Sequence, residues 1–275
     1  MTLPTFLGIG VPRAGTTWLH AFLASHPDVY LPARRKEVRF FDRYYGRGLA
    51  WYEGFFCPEE EAPRYAAIGE ISPQYFYCDA CPDRIADSLP GVRLLLMLRH
   101  PVDRAYSNYG FRVQRSGFRG SFEEFLARSP GMLERGHYAR YLDRYLRRFD
   151  RARLLVLLFE EVVRDDAGAR GALAAFLGLR PEGFAPSPGR VNPSTVPRFR
   201  SVARLTVRTG RRLRRMRLEP VVDLVGRLGL RGALTRGSPL PPIDPELRRS
   251  LAERFEEDFE ELERRLGIDL AVWRG

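Results

Sequence analysis

Short apolar segments alternate along this chain with longer segments that carry apolar residues at helical spacing. Four apolar segments, at residues 5–11, 65–71, 92–99 and 153–161, have the length of strands. Continuous apolar character over such a length is typical of strands buried on both faces of a parallel sheet. We therefore predict these four segments as strands of one parallel sheet.

The remaining patterned segments fit helices. Apolar residues recur at three- and four-residue spacing just after residue 16, over residues 136–149 and through residues 169–179. Residues 245–267 predict one continuous helix that ends at Gly267. Its apolar stripe consists of Leu247, Leu251, Phe255, Phe259, Leu262 and Leu266. Strands alternating with helices predict an α/β fold, a doubly wound parallel β-sheet of about five strands flanked by helices.

Neither a repeat nor a convincing boundary interrupts the pattern, so we expect a single domain over residues 1–275. Within the predicted helix at residues 136–149, Tyr138, Tyr141 and Tyr145 lie near one face. We expect these tyrosines to pack in the core, with a binding cleft as the alternative position for Tyr138.

The chain is strongly basic, with a net charge of +11. This balance predicts an anionic partner, but it does not choose among a nucleotide, a sulfated or phosphorylated sugar, nucleic acid and a membrane surface. Lys36 is the only lysine among 45 basic residues. Because arginine is used everywhere else, the arginine-rich segment at residues 198–217 is weak evidence for a binding surface, whereas Lys36 stands out.

The cysteines do not predict a disulfide framework or a metal site. The chain has Cys57, Cys78 and Cys81, an odd number for a secreted disulfide-rich protein. Cys78 and Cys81 form a C-x-x-C pair, but no second pair and no suitably spaced histidine completes a zinc site. We expect no metal, and the role of the pair stays open.

We also find no signal segment at the start of the sequence and no apolar run approaching the about 20 residues of a spanning helix. We expect a cytoplasmic protein without a membrane span.

The segment GVPRAGTTWL, residues 10–19, nearly matches the phosphate-binding pattern G-x-x-x-x-G-K-[ST], with Thr16 at the lysine position. In nucleoside-triphosphate enzymes that lysine reaches the β- and γ-phosphates, so its absence argues against that use. Backbone N–H groups, Arg13, two threonine hydroxyls and the positive end of the following helix still favour an anion. The loop is therefore P-loop-like and suits a smaller anion, such as a phosphosulfate.

Four segments resemble the sulfotransferases that use 3′-phosphoadenosine 5′-phosphosulfate (PAPS). FLGIGVPRAGTTWL resembles that family's 5′-phosphosulfate loop, and LRHPVDRAYSNY, residues 98–109, resembles its 3′-phosphate motif. RKEVRFFD, residues 35–42, resembles the K-E-x-x-F-F segment of the branch that includes the heparan sulfate enzymes and many bacterial members. GEISPQY, residues 69–75, resembles the strand end that follows it. The motifs stand in family order across most of the chain.

The resemblance implies that the first loop binds the 5′ end of PAPS. Arg13 stands where the family commonly has lysine, and it would contact the bridging oxygen that gains charge as the S–O bond breaks. The residues expected to bind the nucleotide in this loop are Arg13, Ala14, Gly15, Thr16, Thr17 and Trp18.

The resemblance also implies chemical roles for residues 35–42, called the K-E segment below. Glu37 matches the family's catalytic base, since the attacking hydroxyl or amine must lose a proton. Lys36 matches a lysine that contacts the transferred sulfate or the acceptor, and with Arg13 it completes the expected catalytic set. Phe40 and Phe41 are expected in the core.

Three further residues are assigned to the 3′ end of the nucleotide by resemblance. Arg99, at the carboxyl end of a predicted strand, and Ser107, on the following helix, would bind the 3′-phosphate. Arg198 lies in the late loop assigned to the 3′-phosphate and adenine. Ile71 stands where heparan-type enzymes have the lysine of an E-K-S sequence, which argues against polysaccharide recognition of that kind.

Together these features imply an enzyme that transfers a sulfuryl group from PAPS to a hydroxyl or amine of a small-molecule or carbohydrate acceptor. The product nucleotide would be 3′-phosphoadenosine 5′-phosphate (PAP), and neither a metal nor a nucleic acid is required. The alternatives are a P-loop small-molecule kinase and a non-enzymatic protein that binds anions or nucleic acid. The acceptor and the oligomeric state stay open.

Overall fold

The computed structural model describes residues 2–186, 195–196 and 238–274. The chain divides into two compact units. The first contains Met1–Pro101, Arg135–Val191 and Arg254–Gly275, and the second contains Val102–Glu134 and Asn192–Glu253. The expectation that residues 1–275 act as one domain stays a prediction.

A five-stranded parallel sheet forms the centre of the first unit. Its strands are β1 (Phe6–Gly10), β2 (Val29–Tyr30), β3 (Ala67–Ile71), β4 (Arg93–Leu98) and β5 (Leu154–Leu158). They lie in the order β2-β3-β1-β4-β5, and every neighbouring pair is parallel. The predicted α/β sheet of about five parallel strands is confirmed.

The order of the strands reverses around β1, the central strand. The chain places β2 and β3 on one side of β1 and β4 and β5 on the other. In open α/β sheets, ligands bind beyond the carboxyl ends of the strands at such a reversal. The segments that follow β1, β3 and β4 are therefore where a site is expected.

The central strands are buried over nearly their whole length. Every residue of β1 and β3 is buried, and in β4 only Arg93 is exposed. Layers of chain on both faces of the sheet explain why these strands are almost continuously apolar in sequence.

Helices of the first unit pack around this sheet, and all helices are numbered here in chain order. They are α1 (Thr16–Ala24), α2 (Leu49–Glu53), α3 (Cys81–Ser88), α7 (Ala139–Leu146), α8 (Phe159–Arg164), α9 (Asp166–Leu177), α11 (Glu256–Leu266) and α12 (Ala271–Arg274). The predicted apolar face of α1 is confirmed, since Trp18, Leu19, Phe22 and Leu23 are buried. No helix among the described residues has both the length and the apolar character needed to cross a bilayer.

The second unit is described by itself. It contains α4 (Pro101–Ser116, apart from its first residue), α5 (Phe122–Arg128), α6 (Gly131–Glu134) and α10 (Pro245–Ala252). Strands β6 (Thr195–Val196) and β7 (Ser238–Pro239) form a short antiparallel pair. Arg248 of α10 forms an ion pair with Asp103 of α4 at 3.1 Å. The predicted start of α4 at Pro101 is confirmed.

The predicted extents of one strand and of one long helix were wrong. The strand predicted at residues 153–161 ends at Leu158, because Phe159 begins α8 and its ring packs against the Arg99 guanidinium. The helix predicted over residues 245–267 is interrupted by a 3-10 turn at Glu253–Phe255 between α10 and α11. Phe255 is buried at this break, with φ of −112° and ψ of 2°, outside helical geometry.

The tyrosines predicted to lie in the core are at the start of α7 and within it. The helix predicted over residues 136–149 is shorter, at Ala139–Leu146. Tyr138 and Tyr145 are buried, whereas Tyr141 is only partly so. Core packing is thus confirmed for Tyr138 and Tyr145.

Candidate active site

The chain turns sharply between β1 and α1. The N–H of Val11 donates to the Met97 carbonyl of β4 at 2.8 Å, which holds the loop beside the neighbouring strand. Arg13 and Gly15 both adopt left-handed backbone conformations, with φ of 74° and 87°. These two reversals lead the chain directly into α1, which begins at Thr16.

The start of α1 has the properties of an anion-binding position. Gly15 caps the helix, and because glycine has no side chain, the cap residue forms no side-chain hydrogen bond to the helix start. The first N–H groups of an α-helix have no partners within the helix, and the positive end of its dipole lies there. Phosphate groups bind at helix starts of this kind.

Gly15 is required by both conformation and space. Its positive φ disfavours any residue with a side chain. A Cβ built at this position would lie 2.7 Å from the Phe159 ring and 2.9 Å from the Met97 sulfur. The turn therefore packs directly against β4 and α8 without room for a side chain.

The K-E segment contacts this turn through Lys36. The Lys36 Nζ donates to the Thr17 Oγ1 at 2.7 Å, although the two residues are 19 positions apart in sequence. Burial lowers the pKa of Lys36, and the nearby Glu37 carboxylate partly offsets that effect. The structure thus brings together two of the segments that the sequence singled out.

The backbone just after Glu37 is fixed to the end of β3. The N–H of Val38 donates to Glu70 Oε2 at 3.1 Å, and the N–H of Arg39 donates to Ser72 Oγ at 3.0 Å. Phe40 and Phe41 are buried, as predicted. Glu37 itself is partly exposed and lies between these anchors and Lys36.

Glu70 is the buried group that organises this edge, and the sequence analysis did not assign it a role. Its carboxylate also accepts hydrogen bonds from three hydroxyls, Ser72 Oγ at 2.6 Å, Tyr75 OH at 2.6 Å and Tyr52 OH at 3.2 Å. Complete burial raises the pKa of Glu70, and these donors partly oppose the rise. Burial also raises the pKa values of Tyr52 and Tyr75, and the negative charge of Glu70 raises them further.

A signal for Glu70 exists in the sequence. It is the one charged residue in the apolar run AIGEI of β3. Since a carboxyl group inside a fully buried strand must find hydrogen-bond donors, its position by itself indicates a structured polar cluster.

Arg99 follows β4 and lies against the same loop. Its Nη1 donates to the Arg13 carbonyl at 3.3 Å, and its guanidinium carbon lies 4.6 Å from the centre of the Phe159 ring. Tyr138 OH donates to the Arg99 carbonyl at 2.8 Å, which fixes the backbone from the other side. Arg99 is therefore at the carboxyl edge of the sheet, next to the first loop.

The other predicted residues have different outcomes. Ala14 and Thr16 are buried within the turn, and the buried Trp18 ring stacks on Phe22 with centroids 4.7 Å apart. Ser107 lies on α4 in the second compact unit, so its shared role with Arg99 stays a prediction. Arg198 lies outside the described residues, as does the segment at residues 198–217.

Comparison with known proteins gives relatives that match a large part of the chain. A mouse heparan sulfate glucosamine 3-O-sulfotransferase 6 is 36% identical over 189 residues, which is 64% of this chain and 53% of the relative. The human heparan sulfate glucosamine 3-O-sulfotransferase 3B1 is 35% identical over 191 residues, covering 65% of this chain and 47% of the relative. The chain thus spans about half the length of these relatives.

A solved structure is similar over the whole chain. The sulfotransferase from Alicyclobacillus acidocaldarius has 25% sequence identity and a TM-score of 0.71, with 100% of both chains covered. This likeness agrees with the parallel sheet and its flanking helices.

The model of the family described as Sulfotransferase domain matches residues 3–193. That range includes the turn at the start of α1, the K-E segment, the Glu70 cluster and Arg99. Because the match covers well over half of the sequence, this chain belongs to the sulfotransferase domain family.

Proposed function

We propose that this protein transfers a sulfuryl group from PAPS to a hydroxyl group of a carbohydrate acceptor, with small-molecule hydroxyls and amines as further acceptors. The observation that carries the proposal is the bond between Lys36 Nζ and Thr17 Oγ1, because it joins the K-E segment to an anion-binding turn. The curated relatives, named for sulfation of glucosamine in heparan sulfate, support a carbohydrate as the first acceptor class to test.

The residues at the turn fit the phosphosulfate end of PAPS. The left-handed turn at Arg13 and Gly15 leads into the start of α1, where the first N–H groups have no partners within the helix. Arg13 and Arg99 add two cations at the same edge of the sheet. PAPS would supply the sulfuryl group, and PAP would be the product.

Lys36 has the chemistry needed at the position where charge develops. As the acceptor oxygen attacks sulfur, the S–O bond to the phosphate breaks and the bridging oxygen gains negative charge. A cation held beside the start of α1 stabilises that charge more in the transition state than in the ground state. We assign this role to Lys36 together with Arg13.

Glu37 is assigned the role of general base. Its carboxylate accepts the proton of the attacking hydroxyl, so that a new O–S bond forms while PAP leaves. The backbone hydrogen bonds of Val38 and Arg39 fix the segment that carries it, and its partial exposure leaves it accessible to an acceptor.

A binding experiment tests the nucleotide. Isothermal titration with PAP and with AMP should give tighter binding of PAP, since only PAP carries the 3′-phosphate assigned to Arg99 and Ser107. Equal affinities would contradict the proposal. Turnover of Mg²⁺-ATP in place of PAPS would favour the kinase alternative.

A transfer experiment tests the base. With labelled PAPS and a panel of glucosamine-containing oligosaccharides and simple alcohols, Glu37→Gln should reduce turnover on the order of 100-fold while PAP affinity stays unchanged. The exposed Glu59 provides the matched control, so Glu59→Gln should keep full turnover. Full turnover by Glu37→Gln would remove Glu37 from the mechanism.

A cytoplasmic location remains a prediction from the sequence.

A further inference from the structure

The C-x-x-C pair lies in a tight turn between β3 and α3. The N–H of Cys78 donates to the Tyr75 carbonyl at 3.0 Å, and the N–H of Cys81 donates to the Cys78 carbonyl at 3.3 Å. A backbone bond between residues three apart holds their Cα atoms within about 7 Å. That separation falls in the range over which a disulfide forms with little movement.

The two thiols differ in exposure. Cys78 is partly exposed, whereas Cys81, the first residue of α3, is fully buried. A reagent from solvent can therefore reach Cys78 first. Cys81 can then react only with the Cys78 sulfur, once that sulfur is part of a mixed disulfide.

The two thiols also differ in acidity. A hydrogen bond from the Cys81 thiol lowers the pKa of Cys78 to about 7, opposed by burial and assisted by the N–H groups of Cys81 and Ala80. The same hydrogen bond and burial raise the pKa of Cys81. Among the charged and titratable neighbours, Asp42 opposes ionisation of both thiols and Arg84 favours ionisation of Cys81. Both thiols also interact electrostatically with Tyr145.

A metal does not account for the pair. Two thiolates need further ligands to hold a zinc ion. Across residues 2–186 and 238–274, no group of three or more histidine, cysteine, aspartate or glutamate side chains could hold a metal ion. The pairing of one accessible and one buried thiol is instead the arrangement used for thiol–disulfide exchange.

We propose that Cys78 and Cys81 form a redox-active dithiol that is oxidised to an intramolecular disulfide by low-molecular-weight disulfides. The Cys78 thiolate attacks one sulfur of the small disulfide, which forms a mixed disulfide and releases one thiolate. The Cys81 thiol then loses its proton and attacks the Cys78 sulfur, which releases the second thiolate. The two cysteine protons end on the two released thiols, so the small disulfide is reduced while the protein is oxidised.

The dithiol lies beside the candidate active site without belonging to it. Tyr75, three residues before Cys78, donates to Glu70, and Arg84 of α3 donates to the Phe41 carbonyl at 2.7 Å. Neither cysteine contacts the anion-binding turn in these interactions. The proposal therefore does not depend on sulfuryl transfer.

Oxidised glutathione provides the test, with the full chain and intact-mass measurement. The wild-type protein should lose two hydrogen atoms and keep no glutathione, and peptide mapping should find the Cys78–Cys81 bond. Dithiothreitol should restore the original mass. At about pH 7, iodoacetamide should alkylate Cys78 about tenfold faster than an ordinary thiol of the same exposure.

Single variants separate the two roles. Cys81→Ser should stop at a stable glutathione adduct on Cys78, whereas the control Cys57→Ser should behave as the wild type. Oxidation that maps to Cys57, a persistent wild-type adduct, or a wild-type chain that stays reduced in excess oxidised glutathione would each overturn the proposal. Because the wild-type experiment reads mass alone, it stands even where a variant folds poorly, and its failure leaves the proposed function intact.

Discussion

At the residue scale, the candidate site contains a few residues whose backbone conformation or side-chain contact restricts what can replace them. Arg13 and Gly15 make the left-handed turn, and Lys36 reaches it from a distant segment. Lys36 is the only lysine in the chain, in a protein that uses arginine at every other basic position. An ammonium group is a compact point charge, whereas a guanidinium is a planar group with a fixed set of donors, so arginine would not reproduce the contact of Lys36 with Thr17.

Replacing Lys36 with methionine keeps an unbranched side chain and removes its charge. We expect affinity for PAP to fall about tenfold, since a charge-assisted contact is worth about 1.5–3 kcal/mol. Isothermal titration measures the loss. The exposed Arg64 serves as the control, and a similar loss in Arg64→Met would assign the effect to net charge instead of position.

Gly15→Ala tests the packing of the turn. We expect a loss of about 1–3 kcal/mol in the free energy of unfolding, because the φ of 87° and the contacts with Phe159 and Met97 both oppose a side chain. Chemical denaturation gives the value. Gly91 lies in open space, so Gly91→Ala should change stability by less than about 0.5 kcal/mol. Equal effects at the two glycines would show that the turn tolerates a side chain.

At the element scale, the end of β3 joins three other segments through one carboxyl group. Glu70 links the K-E segment, the turn that carries Tyr75 and the helix α2 that carries Tyr52. None of these segments is long enough to be stable alone, so their shared hydrogen bonds define their positions. The position of Glu37 is thus set by its neighbours Val38 and Arg39, whose N–H groups bond to Glu70 and Ser72. The Arg39–Ser72 hydrogen bond joins residues that are 33 positions apart in the chain.

The pH dependence of stability should reveal Glu70. Burial raises its pKa above the ordinary value of 4.5, so the folded protein holds a proton that the unfolded chain has released. The stability it contributes is fully present below pH 4.5 and is lost as pH rises through the folded pKa. Glu70→Gln removes this titration.

Urea unfolding across this range measures the effect. The difference in unfolding free energy between wild type and Glu70→Gln should move in favour of the variant as pH rises through the folded pKa. The exposed control Glu59→Gln should show no such trend. Parallel curves for wild type and Glu70→Gln would mean that the carboxyl group keeps its ordinary pKa in the folded state.

At the scale of the whole molecule, the net charge of +11 favours anionic ligands in general, and we expect the turn at the start of α1 to select among them. Several of the described arginines pair with carboxylates, as at Arg144–Asp79, Arg265–Asp143 and Arg274–Glu263. Part of the positive charge is therefore already offset by carboxylates within the folded structure.

The long-range part of this attraction should depend on salt. We expect PAP affinity to fall several-fold between about 0.01 M and about 0.15 M sodium chloride, as the Debye length shrinks from about 30 Å to about 8 Å. Adenosine, which lacks phosphates, should bind with little dependence on salt. Titrations at both ionic strengths compare the two ligands, and an unchanged PAP affinity would confine the attraction to direct contacts.

Local chemistry explains which parts of the fold and site were predictable. The strands β1, β3 and β4 and the start of α4 follow from apolar runs and from Pro101, which are signals within a few residues. The predicted end of β5 was wrong because Phe159 is apolar enough to continue a strand, but it packs against the first loop as part of α8. The predicted continuity of residues 245–267 was wrong because burial of Phe255 outweighs helical periodicity at the break.

The sequence by itself determined the parallel α/β sheet, the loop between β1 and α1 and the family, because each is encoded in short contiguous patterns. Only the tertiary structure decided that Lys36 contacts Thr17, that Glu70 holds the K-E segment and that Cys78 is accessible while Cys81 is buried. These features depend on contacts between residues far apart in the chain and on the removal of specific side chains from water. The periodicity and spacing of residues in the sequence do not show which distant residues touch or which side chains are buried.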